Sequence, residues 1–182
     1  MKLTQIRNAT NRLDYAGKVF LIDPWLAPKP QMSFVDIPDM PFHIPDPMKE
    51  HLPMPFYDLP MDMGQILSGV DYYIVTHLHP DHIDMAPDGT VGAPLDKAVP
   101  VICQSEEDAS VLRSSGFSEI IVLPTSGMEF GAARLTRVPA LHGTVVPCGD
   151  AMGIVFEAPE ENTFYLAGDT VWYSGVAETL RN

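Results

Sequence analysis

Seven consecutive residues, Thr76-His77-Leu78-His79-Pro80-Asp81-His82, gather three imidazoles and a carboxylate just past an apolar run. In an extended backbone, residues two apart point the same way, so His77 and His79 can reach one cation together. Pro80 fixes its own φ and biases His79 toward an extended conformation. The chain must then turn, which aims Asp81 and His82 toward a second ion. Neutral imidazole with carboxylate, and no thiolate in the run, suits Zn²⁺, Mn²⁺ or Fe²⁺. The chain has six histidines in all, and packing does not explain three of them in this one stretch. A divalent ion lowers the pKa of bound water from about 15.7 to about 7 and polarises the bond under attack. The chemistry expected is therefore metal-assisted hydrolysis, with one or two divalent ions, Zn or Mn foremost.

Two later segments repeat the pattern of a polar residue just past an apolar strand. His142 sits in Pro139-Ala140-Leu141-His142-Gly143-Thr144, and Asp169 in Tyr165-Leu166-Ala167-Gly168-Asp169-Thr170. Alone, a His before Gly is a turn residue and an Asp after Gly is a helix cap. Beside the histidine cluster they become further pieces of one site. Asp81 and Asp169 are acceptors near the nucleophile and are the candidate catalytic residues. Trp25, Thr144, Trp172 and Tyr173 each neighbour a motif residue and are candidates to line a substrate pocket, with packing the alternative for the aromatics. Arg7 and Asn8 close the first strand, and Arg7 suits an anionic substrate.

The elements that must carry these residues are legible. Residues 2–23 read as two or three short strands, with Ala16-Gly17 as a hairpin signal. A short helix is expected over 62–69 and a buried strand over 70–75. Another strand spans 99–103, followed by a helix from Ser105, its N-cap, to Ser115, with Gly116 as the stop. Strands follow near 119–123, 128–130, 133–138, 151–157 and 163–168, and a last helix begins near Gly175. Between Pro24 and Pro60 lie 10 of the 18 prolines. That density excludes helix or central strand, so 24–63 reads as a long Pro/Met-rich loop laid over the domain, as packing cover or as a substrate lid.

Composition narrows the function. The 182 residues carry a net charge of −13. So acidic a chain lacks the basic face that phosphate-backbone binding needs, and it is ill suited to anionic membrane surfaces. Two cysteines, Cys103 and Cys148, make no disulfide framework and fit a reducing, cytoplasmic setting. No run approaches the roughly 20 apolar residues of a membrane span. The expected partner is a small molecule rather than nucleic acid or membrane.

With these motifs in order, the chain resembles the metallo-β-lactamase superfamily, and within it the branch of L-ascorbate-6-phosphate lactonase. The matching pieces are Leu21-Ile22-Asp23-Pro24, Thr76 to His82, His142-Gly143 and Leu166-Ala167-Gly168-Asp169-Thr170. The resemblance implies an α/β fold, an αββα four-layer sandwich filling 1–182 as one domain. It implies that His77, His79 and His142 hold a first metal, that Asp81 and His82 hold a second, and that Asp169 bridges both. Asp23, with Thr76 and Thr170, would orient these ligands. It implies cleavage of a lactone or other ester-like bond in a small metabolite, anionic ones included. A phosphodiesterase of the same fold and a non-catalytic metal-binding relative are the other readings. The family closes its second metal site with a later histidine, and neither His43 nor His51 is matched to that place. The expectation is a chain short of its final αβ units, about 50–80 residues at usual element lengths, with one firm and one labile ion and a tendency to self-associate.

Overall fold

Alternation of side chains builds the centre of the molecule. In the computed structural model, which describes residues 1–29, 31, 52–143 and 148–181, three short apolar strands lie side by side. They are β3 (Lys18–Ile22), β4 (Tyr72–Ile74) and β5 (Val101–Cys103), named in chain order with β1 (Lys2–Arg7) and β2 (Thr10–Tyr15). Successive residues point to opposite faces. Leu21, Tyr73, Val75, Val101 and Cys103 enter one buried cluster. Phe20, Ile22, Ile74 and Ile102 enter another. Both faces are therefore covered, which is why these strands read as unbroken apolar runs.

The first sheet runs β1-β2-β3-β4-β5-β6, with β6 at Ile120–Val122. β1, β2 and β3 are antiparallel, while β3 through β6 are parallel, in registers such as Phe20 opposite Tyr72. Ala16 and Gly17 both take positive φ, 48° and 76°, as a two-residue hairpin turn requires. The first cluster packs under α1 (Met63–Leu67) and α2 (Glu106–Ser114) through Ile66, Ala109 and Leu112. Ser105 caps α2 by accepting the Asp108 N–H at 3.1 Å, and three acidic residues fill the first turn.

The second cluster lies between this sheet and a second one. That sheet is antiparallel, in the order β10-β9-β8-β7, comprising β7 (Met128–Phe130), β8 (Ala133–Ala140), β9 (Ala151–Glu157) and β10 (Phe164–Leu166). Leu135, Met152, Ile154 and Phe156 face Leu13, Tyr15, Phe20 and Ile22. A last helix, α3 (Ser174–Thr179), packs against β8. No helix among the described residues is long and apolar enough to cross a membrane. The expected loop over 24–63 falls for most of its length outside the described residues, as do His43, His51 and Thr144.

Candidate metal centre

Parallel pairing of β3 and β4 brings their C-terminal ends to one edge of the sheet, the edge where open α/β sheets gather ligands. Asp23 follows β3 directly. Its backbone N–H donates to the Ile74 carbonyl at 2.8 Å, which fixes it beside the start of the histidine motif. The residue takes a positive φ of 44°, unusual outside glycine, and its carboxylate turns inward. One oxygen accepts the Thr76 backbone N–H at 2.8 Å, the other accepts the Thr76 hydroxyl at 2.9 Å, and His82 Nδ1 lies 3.0 Å from that second oxygen. Asp23, Thr76, His77 and His82 are 2%, 0%, 1% and 3% exposed, so this network is sealed from water.

The network sets the tautomers. A carboxylate only accepts, so the Thr76 hydroxyl spends its hydrogen on Asp23 and must accept from His77 Nδ1–H, 3.1 Å away. His77 Nε2 is left as a bare lone pair. His82 likewise turns Nδ1–H to Asp23 and aims Nε2 the other way, toward Asp169. Carboxylate and hydroxyl partners behind the ring are the usual way a metal-ligating histidine is oriented.

The bare nitrogen of His77 points at other nitrogens. His77 Nε2 lies 3.0 Å from His79 Nδ1, and His142 Nε2 lies 3.3 Å from that same His79 atom. His79 Nδ1 carries at most one hydrogen, so neutral imidazoles cannot satisfy both approaches. A cation can. An ion about 2.0–2.1 Å from each of several tetrahedrally placed nitrogens spaces them about 3.3–3.4 Å apart. The donors present therefore fit a divalent ion.

Two sets of possible donors result, His77-His79-His142 and His77-His82-Asp169. Asp169 Oδ2 lies between them, 3.5 Å from His82 Nε2 and 3.8 Å from His142 Nε2. Burial, with His82 and His79 alongside, drives the His77 imidazole down to about 3. His79 is lowered as well, by burial and then by His142. Both are thus neutral, the form that binds metal. His82 behaves oppositely. Burial would lower it, yet its contacts with Asp169 and Asp23 lift it to about 10. Asp169 is held down at about 2, first by His82.

Asp81 lies outside both of these sets. The second set uses His77 where Asp81 was expected beside His82 and Asp169. The N–H groups of His82 and Ile83 both donate to the His79 carbonyl, at 3.0 and 3.3 Å. This tight turn swings His82 inward and leaves Asp81 half-buried beside it, near enough for its charge to act on His79 and His82.

The second sheet brings its own pieces. His142 lies two residues past β8 and Asp169 three past β10. Gly168 has a φ of 66°, and a Cβ there would sit 2.4 Å from the Met152 carbonyl oxygen, so only glycine lets the Asp169 turn lie on β9. Met152 N–H in turn donates to the Thr76 carbonyl at 3.2 Å, which ties the second sheet to the histidine motif.

The remaining candidates are dispersed. Arg7 is 5% exposed, and its guanidinium donates to the carbonyls of Ala27 at 2.7 Å, Trp25 at 3.1 Å and Tyr57 at 3.1 Å. Its two terminal nitrogens hold carbonyls of Tyr57 and of the chain that follows β3, while its buried Nε has no hydrogen-bond partner among the described residues. Trp25 is 1% exposed, packed with Ala27 and Met54 under Arg7, so it belongs to the core. Asn8 sits exposed in the β1–β2 turn with a φ of 48°. Trp172 is 73% exposed next to the Asp169 turn, and Tyr173 donates its hydroxyl to the Pro139 carbonyl. Asp84 was not singled out in the sequence. It accepts Leu26 N–H at 2.9 Å and so joins the histidine motif to the chain beyond Asp23. Its place two residues past His82 was the available signal.

No family model matches the chain. The protein YddR of Bacillus subtilis, a UPF0173 protein, is 37% identical over 184 residues, covering 99% of this chain and 67% of its own length. The crystal structure of a possible metal-dependent hydrolase from Veillonella parvula superposes with a TM-score of 0.82 at 36% identity, over 98% of this chain and 66% of that one. That of an isothiocyanate hydrolase from Delia radicum gut bacteria gives 0.82 at 37% identity, over 100% and 67%. The chain thus spans about two thirds of the length of these proteins. On the relation to YddR it belongs to the UPF0173 family, whose members from other bacteria are named metal-dependent hydrolases.

Proposed function

We propose that this chain is a metal-dependent hydrolase of small, uncharged electrophiles, with isothiocyanates as the leading substrate class. The observation that carries the metal is the convergence of His77 Nε2, His79 Nδ1 and His142 Nε2, which neutral rings cannot satisfy by hydrogen bonding. One or two divalent ions, Zn or Mn foremost, would supply an activated water and polarise the carbon under attack. His77, His79 and His142 would hold the firmer ion. His77 Nε2 cannot serve two sets at once, so the second position is left with His82, Asp169 and the nearby Asp81, and its ion is held more loosely. Asp169 Oδ2 faces His82 and His142, leaving its other oxygen to take a proton from the attacking water. Asp81, at the rim, orients that water.

The substrate class rests on the isothiocyanate hydrolase that this chain resembles over its full length. Hydrolysis would add water across the N=C=S carbon, and the thiocarbamate would release amine and carbonyl sulfide. The hydrogen bonds from the Arg7 terminal nitrogens to backbone carbonyls support an uncharged substrate over the anionic one expected from the sequence. The four motifs, by resemblance, support a lactone or ester instead, and the same site could open a phosphodiester. For the fold, helices on one face of the first sheet, two facing sheets and α3 against β8 support a four-layer αββα arrangement. Two cysteines without a disulfide framework fit a cytoplasmic protein.

Zinc- or manganese-loaded protein is to be given benzyl isothiocyanate, γ-butyrolactone and bis-p-nitrophenyl phosphate in parallel. Expected is turnover of the isothiocyanate that EDTA abolishes. Turnover of the lactone or the phosphodiester alone would replace the substrate class, and turnover indifferent to EDTA would remove the metal.

A further inference from the structure

The two loops that bring ligands from the second sheet are bonded to each other. Beyond Ala140 the chain leaves its β9 partner. There Leu141 N–H donates to the Thr170 hydroxyl at 3.0 Å, and Val171 N–H donates to the Leu141 carbonyl at 2.9 Å. The Thr170 hydroxyl spends its own hydrogen on the Val171 carbonyl at 3.0 Å, so its lone pair is aimed at Leu141. One turn further on, the Tyr173 hydroxyl donates to the Pro139 carbonyl at 3.0 Å. The three bonds between the loops each join a residue within three of His142 to a residue within four of Asp169.

Burial does not do this work. The Asp169 side chain is 43% exposed, Leu141 38% and Trp172 73%, so these turns lack the packed surroundings that hold Asp23 and His82. Lateral hydrogen bonds are what fix their spacing. We propose that Thr170 and Tyr173 are positioning residues that lock the His142 and Asp169 loops into one unit, so that both ligands meet the ions at a fixed separation. This rests on the metal reading above and extends it to two residues that touch no ion. Loss of the Thr170 hydroxyl frees the Asp169 turn to move relative to His142. The loosely held ion depends on Asp169, so it feels the loss most. The firm ion keeps His77 and His79 and feels it less.

The test uses Thr170→Val, Thr170→Ser and Tyr173→Phe in the full chain. Co²⁺ and Zn²⁺ are titrated against a chromophoric chelator, with the visible cobalt spectrum and the melting temperature of the ion-free protein as further readouts. Partners behind metal ligands typically contribute about 10–100-fold in affinity. Expected is a loss of that order at the weaker position in Thr170→Val, a smaller one in Tyr173→Phe, and near-complete recovery in Thr170→Ser, which keeps the hydroxyl. An unchanged weaker affinity in Thr170→Val overturns the proposal, as does a Ser variant as weak as Val. An equal loss at both positions does so too, since it marks general loosening. If Thr170→Val does not fold, Tyr173→Phe against the parent decides, and a wild-type weaker affinity there overturns it. Failure of the parent protein to take up any ion instead removes the metal reading itself.

Discussion

The two halves of the site are built by different physics. The half on the first sheet has a dry interior: Asp23, Thr76, His77 and His82 are at most 3% exposed and hydrogen-bond one another, with His79 and Asp81 half-buried at its rim. The half on the second sheet is open, with the His142 side chain 13% exposed and that of Asp169 43%. A sealed hydrogen-bond network acts in low dielectric, where each bond is strong and each loss is costly. An open pair of turns is held by bonds that water can replace. The contrast teaches where the centre is preorganised and where it can adjust. The rings that orient first are fixed before any ion arrives, while the ligands nearest solvent are free to follow substrate and product.

His77 offers the largest way to break this contrast, because it belongs to both donor sets. His77→Ala is expected to leave no ion bound after dialysis, whereas His142→Ala keeps the His77-His82-Asp169 set and retains one. Elemental analysis of both variants checks this. Equal retention in the two would mean that the buried half has no priority.

Asp23 comes next. Three buried donors end on its carboxylate, two from Thr76 and one from His82. Removing one partner of a buried pair costs about 3–5 kcal/mol, since the other is left without compensation. Asp23→Ala measured by urea unfolding in EDTA, without metal, should lose stability of that order. A loss under about 1 kcal/mol would show that water reaches the network.

Local spacing explains what the sequence disclosed and what it hid. Thr76 to His82 was legible because seven adjacent residues need no knowledge of the fold, and the alternation in β3, β4 and β5 was legible for the same reason. His142 and Asp169 needed the pattern of a polar residue past an apolar strand, repeated. The half-buried place of Asp81 was not legible, because the direction of its turn depends on two bonds to the His79 carbonyl that no spacing reveals. Trp172 and Tyr173 sit beside ligands in the chain, yet adjacency says nothing of direction, and Tyr173 turned out to bind the neighbouring loop.

Arg7 shows the same limit in reverse and gives the smallest expected effect. A lone cation near a metal motif reads as an anion contact only while its donors are free. Here the chain beyond β3 has left the sheet, and its carbonyls at Trp25 and Ala27 find their donor in Arg7. Burial pushes the guanidinium below its ordinary value, with Asp84 and Asp58 opposing that shift, yet it stays charged at any working pH. Arg7→Met keeps the aliphatic bulk and deletes the donors, leaving the buried Ala27 carbonyl unpaired at about 1–3 kcal/mol, while the Trp25 carbonyl keeps the Thr10 hydroxyl at 3.4 Å. Expected is a lower unfolding midpoint with unchanged KM for an uncharged substrate and unchanged ion content. A raised KM at full stability would return Arg7 to the substrate, and with it the anionic class that its present bonds argue against.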